Sequence, residues 1–292
     1  MSKSRKGPGA RRRKGAKAAS PGALPDLATL VALLMAGERG GDGNDPLDEA
    51  QDKAFDAMES ADPAERIRLA REALDLSPLC ADAYLVLARE TKDAQAALPL
   101  YRQACEAGAE ALGAEAFEED AGHFWGLIET RPYMRARQEL AMALWETGER
   151  EAAAQHYREM LRLNPNDNQG IRYLLIDALL ALGAEAEAER LLEQYEKDGS
   201  AAMTWSAALL AFRRDGRTKA ADAALKRAIE ANPHVPDYLL GRKKLPELLP
   251  AFIGMGDRNE AIAYVHGAAP IWAETEGARA WVEAAANSGT QY

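Results

Sequence analysis

The chain has 292 residues, of which 47% are hydrophobic and only 7% aromatic, and its formal net charge is −10. That length suits one or two ordinary domains or a single longer repeat array, and the apolar content is enough to bury a core. Abundant Ala, Leu, Glu and Arg with few β-branched runs exclude a β-sandwich, and no run of eighteen apolar residues offers a membrane-spanning helix.

Residues 1–22 read as a disordered basic arm. The first twenty hold eight Lys or Arg and no acid, leaving 28 basic against 46 acidic residues, a net of −18, for everything that follows. An acidic body is a poor partner for a phosphate backbone, so nucleic acid or an acidic membrane could be attracted only by this arm. The arm could equally dock on the chain's own acidic surface or simply keep it soluble. Residues 23–46 read as a short helix and a Gly-rich linker. Leu27–Ala36 (LATLVALLMA) imitates a signal-peptide core, but Asp26 stands at its mouth and no small-x-small cleavage site follows. The expectation is a short amphipathic helix packed on the first repeat of a cytoplasmic protein. Gly37–Gly43 is followed by acids that repel phosphate, so it reads as a linker and not a nucleotide loop.

Residues 47–292 read as an all-α, right-handed superhelical solenoid of tetratricopeptide-like helix pairs. Asp48–Ser60 with Pro63–Leu76 predict one pair, closed by Pro78, and Asp82–Thr91 with Ala94–Ala107 predict the next. An irregular insertion near 109–132 follows, rich in acids (Glu115, Glu118, Glu119, Asp120) and aromatics (Phe117, Phe124, Trp125). A fixed register then recurs: Gly148 with Ala153 and Tyr157, Gly183 with Ala188 and Leu192, Gly216 with Ala221 and Leu225, and Gly256 with Ala261 and Val265. These glycines lie 35, 33 and 40 residues apart, close to a tetratricopeptide period of about 34. Glycine ends the first helix of a pair, alanine lets the second approach closely, and the large residue four positions on fills the space between pairs. A second insertion, near 234–246, precedes the last pair. A C-terminal helix over Pro270–Ala286, carrying Trp272 and Trp281, reads as the cap such an array needs.

Asn232–Gly241 reads NPHVPDYLLG, followed by Lys243-Lys244, Gly256-Asp257, Glu260–Tyr264, Trp272 and Glu276–Ala278. This series resembles the C-terminal region of the suppressor of tumorigenicity 7 protein family. Glu72–Ala107 is similar to that family's central region, and the resemblance spans roughly residues 65–285. It implies a tetratricopeptide-like fold and brings no defined biochemical activity with it. The 109–132 insertion departs from the family's pattern.

Sites for chemistry are scarce. His123, His156, His234 and His266 have no His or Cys at metal-ligand spacing, and Cys80 and Cys105 read as buried thiols in a reducing compartment. Residues 115–125 are the one stretch where carboxylates and a histidine could bind a metal or do hydrolytic work. A solvated acidic face, or a structural patch over a kink, accounts for it as well. No Walker, dinucleotide-binding or nucleophile motif occurs, so neither cofactor nor small-molecule substrate is expected and the chain reads as non-enzymatic.

The predicted role is a scaffold that binds a protein or peptide in its concave groove. Alignment on the turn glycines puts Arg135, Gln138, Met142 and Trp145 on that face, then Tyr173 and Asp177, then Met203, Ser206 and Arg213, and last Lys243. Trp145 and Tyr173 fit packing between helices equally well. The Lys and Asn constellation by which some tetratricopeptide domains hold a terminal carboxylate is missing.

Overall fold

The computed structural model describes residues 45–288. The basic arm at 1–22 lies outside the described residues, as does the 23–46 segment except for Asp45 and Pro46. Every regular element among the described residues is helical. The first two pairs are α1 (Pro46–Glu59) with α2 (Pro63–Leu76), and α3 (Ala81–Glu90) with α4 (Ala94–Glu119). Next come α5 (Arg131–Glu146) with α6 (Arg150–Leu163), and α7 (Ile171–Leu182) with α8 (Glu185–Gln194). After α9 (Ala201–Asp215) and α10 (Lys219–Ala231) stands the single turn α11 (Val235–Leu239), and α12 (Arg258–Glu274) and α13 (Ala278–Ser288) close the series.

Local chemistry sets these boundaries. Asp45-Pro46 and Asp62-Pro63 open α1 and α2, each aspartate accepting the N–H two residues on at 2.9 and 3.0 Å. Gly183 ends α7 at φ 71°, which lets the Ala184 N–H reach back to the Leu179 carbonyl at 2.9 Å. Close approach depends on alanine: Ala50, Ala54 and Ala57 of α1 and Ala70 and Ala73 of α2 are all fully buried. Farther along, Trp205 of α9 meets Trp272 of α12 edge-on at 5.9 Å, both inaccessible to solvent. Each indole removes roughly 200 Å² from water, worth about 5 kcal/mol before the entropy of ordering is charged against it.

Side-to-side packing of first helices joins α1 to α3, α3 to α5, and α7 to α9. This is the stacking of helix pairs that the glycine register anticipates. Three expectations change. The insertion near 109–132 is not irregular throughout: α4 continues to Glu119, bending where Gly113 adopts φ 75°, and a 3₁₀ turn at Phe124–Gly126 leads into α5. Phe117, Phe124 and Tyr133 form a ring cluster with centroids 5.0–6.2 Å apart, so the segment is packed core with exposed acids. The segment before the last pair is longer than 234–246 suggests: residues 240–257 form no helix. Pro246 and Pro250 supply no N–H and push their predecessors toward extended backbone. The helix expected over Pro270–Ala286 is instead split, because α12 runs through Pro270 to Glu274 and Gly277, at φ 77°, separates it from α13.

Candidate protein-binding face

Position along α5 gives Arg135, Gln138, Met142 and Trp145 one helical face, since their spacing is three, four and three. Met142 is 43% exposed. Trp145 is half-buried, with the Arg150 guanidinium 5.2 Å from its ring. Gln138 accepts from the Gln169 Nε2 at 2.9 Å, at the approach to α7. These three side chains form an accessible strip.

Arg135 lies at the end of the same face but is engaged by the fold. Its Nε and Nη2 donate to Asp82 of α3 at 3.0 and 2.5 Å, and its guanidinium stands 5.9 Å from the Phe55 ring centroid. Asp82 is completely buried, so Arg135 stitches α3 to α5 and is not a groove contact.

Tyr173 is drawn into a network at the start of α7. Its hydroxyl donates to Asp198 at 3.0 Å, while the Arg172 Nε reaches the same carboxylate oxygen at 2.5 Å. Arg172 also bonds Asp167 at 2.8 Å and stacks over the Tyr173 and Tyr195 rings. Burial, then the Asp198 charge, push the Tyr173 phenol above its ordinary pKa. The ring is half-buried, and its polar end belongs to the scaffold.

The α9 residues are corrected outright. Met203 and Ser206 are inaccessible, because α12 lies across the side of α7 and α9 where an open groove is expected. Arg213 points the same way and closes helix ends: its Nη1 donates to Leu180 O at 2.6 Å, its Nε to Thr275 Oγ1 at 2.8 Å, and its Nη2 to Ile271 O at 3.3 Å. The reason is topological. Gly256 is expected to separate two long helices, yet only the five-residue α11 and an extended segment precede it, leaving α12 to pack on first helices. Lys243 is exposed in that segment and pairs with Asp237 at 2.7 Å.

Asp177 stands apart. It is partly accessible where α7 meets α12, and its Oδ2 would lie 2.8 Å from a Cβ added at Gly267. Its Oδ1 is sealed and has no hydrogen-bond partner. Burial pushes its carboxyl up to about 7.

Sequence reasoning missed Tyr264 and Gly267 of α12, although a glycine inside a helical pattern signals a close approach. It also passed over residues 248–255, where Leu248, Leu249, Phe252, Ile253 and Met255 are all exposed. Their apolar run was plain in the sequence. Among the described residues no three His, Cys, Asp or Glu side chains come together as metal ligands would, and Glu115, Glu118, Glu119 and His123 are exposed. No described helix is long and apolar enough to cross a membrane.

The family model described as ST7 protein matches residues 42–289. The chain belongs to the ST7 protein family. The Suppressor of tumorigenicity 7 protein-like of Homo sapiens is 31% identical over 261 residues, covering 80% of this chain and 44% of that one. That of Mus musculus is 32% identical over 261 residues, with 80% and 45% covered. The Protein ST7 homolog of Drosophila melanogaster is 28% identical over 260 residues, with 79% and 48% covered. This chain therefore spans less than half the length of these curated relatives. It is also similar to a solved structure titled "Crystal structure of YrrB: a TPR protein with an unusual peptide-binding site", at 18% identity and a TM-score of 0.46, covering 70% of this chain and 91% of that one.

Proposed function

We propose that this ST7-family chain is a protein-binding scaffold that takes a peptide segment of a partner along the α5 strip. The observation that carries the reading is Met142, a large apolar side chain 43% exposed beside the half-buried Trp145 and Gln138. Thioether, indole and amide groups on one rigid helix face supply adaptable apolar contact with few charges, the composition found at the centre of protein interfaces. The other polar side chains once expected in a groove serve the fold, so the strip is shorter than an array-long groove.

The test is site-specific photo-crosslinking in the native cell with a photoreactive residue at position 142 or 145, and at exposed position 190 on α8 as the control. A discrete adduct from 142 and 145 that is absent from 190 is expected. Identical adducts from all three positions, or none from 142 and 145, would refute the assignment.

A further inference from the structure

The segment between α11 and α12 gathers five of the seven large apolar side chains that stand exposed among the described residues. Leu248, Leu249, Phe252, Ile253 and Met255 are each between 53% and 84% exposed. Their placement is fixed from the α12 side. Asn259 Nδ2 donates to Phe252 O at 2.9 Å, and the Gly254 N–H donates to Asp257 Oδ2 at 3.0 Å. Asp257 Oδ1 in turn accepts the Glu260 N–H at 2.8 Å, at the start of α12. A side chain at position 254 would crowd this tie, since a Cβ there falls 2.8 Å from Asp257 Oδ2. Ordering the segment costs conformational entropy, and no burial of these side chains among the described residues offsets it.

The exposed area is large enough to matter. A fully exposed residue of this size presents roughly 150–200 Å², so the five leave about 500–650 Å² in water. That is the upper end of what a monomer ordinarily leaves open. Two such segments brought together would remove about 1,000–1,300 Å², the threshold of a specific interface.

Charge and backbone narrow the choice of occupant. Arg242 pairs with Glu283 at 3.6 Å and Lys243 with Asp237 at 2.7 Å, so two of the cations just before the segment are engaged within the chain. Beyond position 20 the chain has 28 basic against 46 acidic residues, which opposes an anionic lipid surface. A like segment needs no opposite charge. Pro246 and Pro250 deny it a continuous strand edge, so contact is made by side chains. Such a contact uses the same surface on both copies and closes as a pair without growing into a filament.

We infer that residues 248–255 are a self-pairing surface, through which two copies of this chain meet segment to segment about a two-fold axis in a reversible dimer. This goes beyond the scaffold reading and does not depend on the α5 strip. An interface of this small size is expected to be transient, with monomer and dimer in exchange.

The test is sedimentation velocity of the full chain from about 1 to about 200 µM, beside Phe252→Ser/Ile253→Ser and, separately, Leu248→Ser. The chain is expected to pass from monomer to dimer and no further. The double variant should weaken the dimer at least about tenfold and Leu248→Ser by a smaller factor, both with unchanged circular dichroism. Raising the salt from about 0.1 to about 0.5 M should not weaken it, because screening lowers the repulsion between two acidic bodies. An aromatic photoreactive residue at position 252, in a mixture of ¹⁴N- and ¹⁵N-labelled chains, should give a mixed-isotope adduct within residues 247–255 of the other copy. A monomer at every concentration, a dimer that the serine variants leave unchanged, or an adduct elsewhere on the other copy would overturn the assignment. An adduct confined to single chains would overturn it too, by giving the cover to a segment of the same chain such as 27–36. So would a monomer that sediments with phosphatidylcholine–phosphatidylserine vesicles through the same side chains, which would assign the segment to a lipid surface.

Discussion

Replacing Asp82 by alanine should destabilise the chain far more than an ordinary helix substitution. Asp82 is 0% exposed and accepts from Arg135 twice, at 3.0 and 2.5 Å, and from Gln51 Nε2 at 2.6 Å. The alanine variant leaves a mostly buried guanidinium without this counter-charge and a part-buried amide without its acceptor. Removing one partner of a buried ion pair costs about 3–5 kcal/mol, against a typical total of about 5–15. The loss should fall on α1, α3 and α5, since Gln51, Asp82 and Arg135 sit one on each. The assay is urea unfolding by far-ultraviolet circular dichroism, with hydrogen exchange to locate the change. With a slope of about 3 kcal/mol per molar, the midpoint should fall by about 1–1.7 M. Arg135→Met should cost a similar amount. The double variant Asp82→Leu/Arg135→Met should cost much less than the sum, because neither charge is then stranded. A loss below about 1 kcal/mol for Asp82→Ala, or strict additivity in the double variant, would refute the reasoning.

Four further outcomes follow from the same contacts. Glu260→Ala strands the Ala201 and Gly256 N–H groups and the Asn232 amide, so a loss of about 3 kcal/mol or more is expected, with faster exchange at amides 201 and 256. Phe124→Ala should cost about 3–5 kcal/mol in urea melts, since the ring is fully buried in the 109–132 segment. Asp177 has a folded pKa of about 7 against an ordinary 3.8, so it favours the folded state fully below pH 4 and loses that contribution as pH rises through 7. The span is about 4 kcal/mol at most, and Asp177→Asn should flatten that part of the stability–pH curve. Phe252→Ser/Ile253→Ser should change stability by less than about 0.5 kcal/mol while lowering concentration-dependent light scattering, because both side chains lie in solvent at 62% and 57% exposure.

Helix pairing was legible because it is local chemistry. Asp-Pro caps, turn glycines and alanine faces act within a few residues, and Gly148, Gly183 and Gly216 do end first helices at positive φ. Gly256 carries the same signature without the same role. The period counts residues, but only folding reveals that Pro246 and Pro250 have removed the first helix of that unit. The site was less legible because it depends on which helix covers which. Arg135, Tyr173 and Arg213 are the residue types that interfaces favour, and those types also serve as internal ties. A guanidinium placed on one inner helix meets the next helix before it meets a partner.

The position of α12 ties these observations to function. A solenoid of regular pairs would present equivalent inner surfaces along its whole length, and binding could slide among them. With α12 against α7 and α9, Met203 and Ser206 are withdrawn from solvent and Arg213 is half-buried and tied to helix ends, whereas Met142 of α5 is left exposed. The irregular last unit therefore restricts where a partner can lie, and it also brings Gly267 against Asp177, whose Oδ1 has no hydrogen-bond partner among the described residues. Shortening the 240–257 segment should displace α12 and expose Trp205 and Ser206 while leaving the Met142 strip in place. Tryptophan fluorescence shifting to the red with unchanged crosslinking from position 142 is the expected pair of results. A red shift together with loss of crosslinking from position 142 would mean that α12 helps to build the strip.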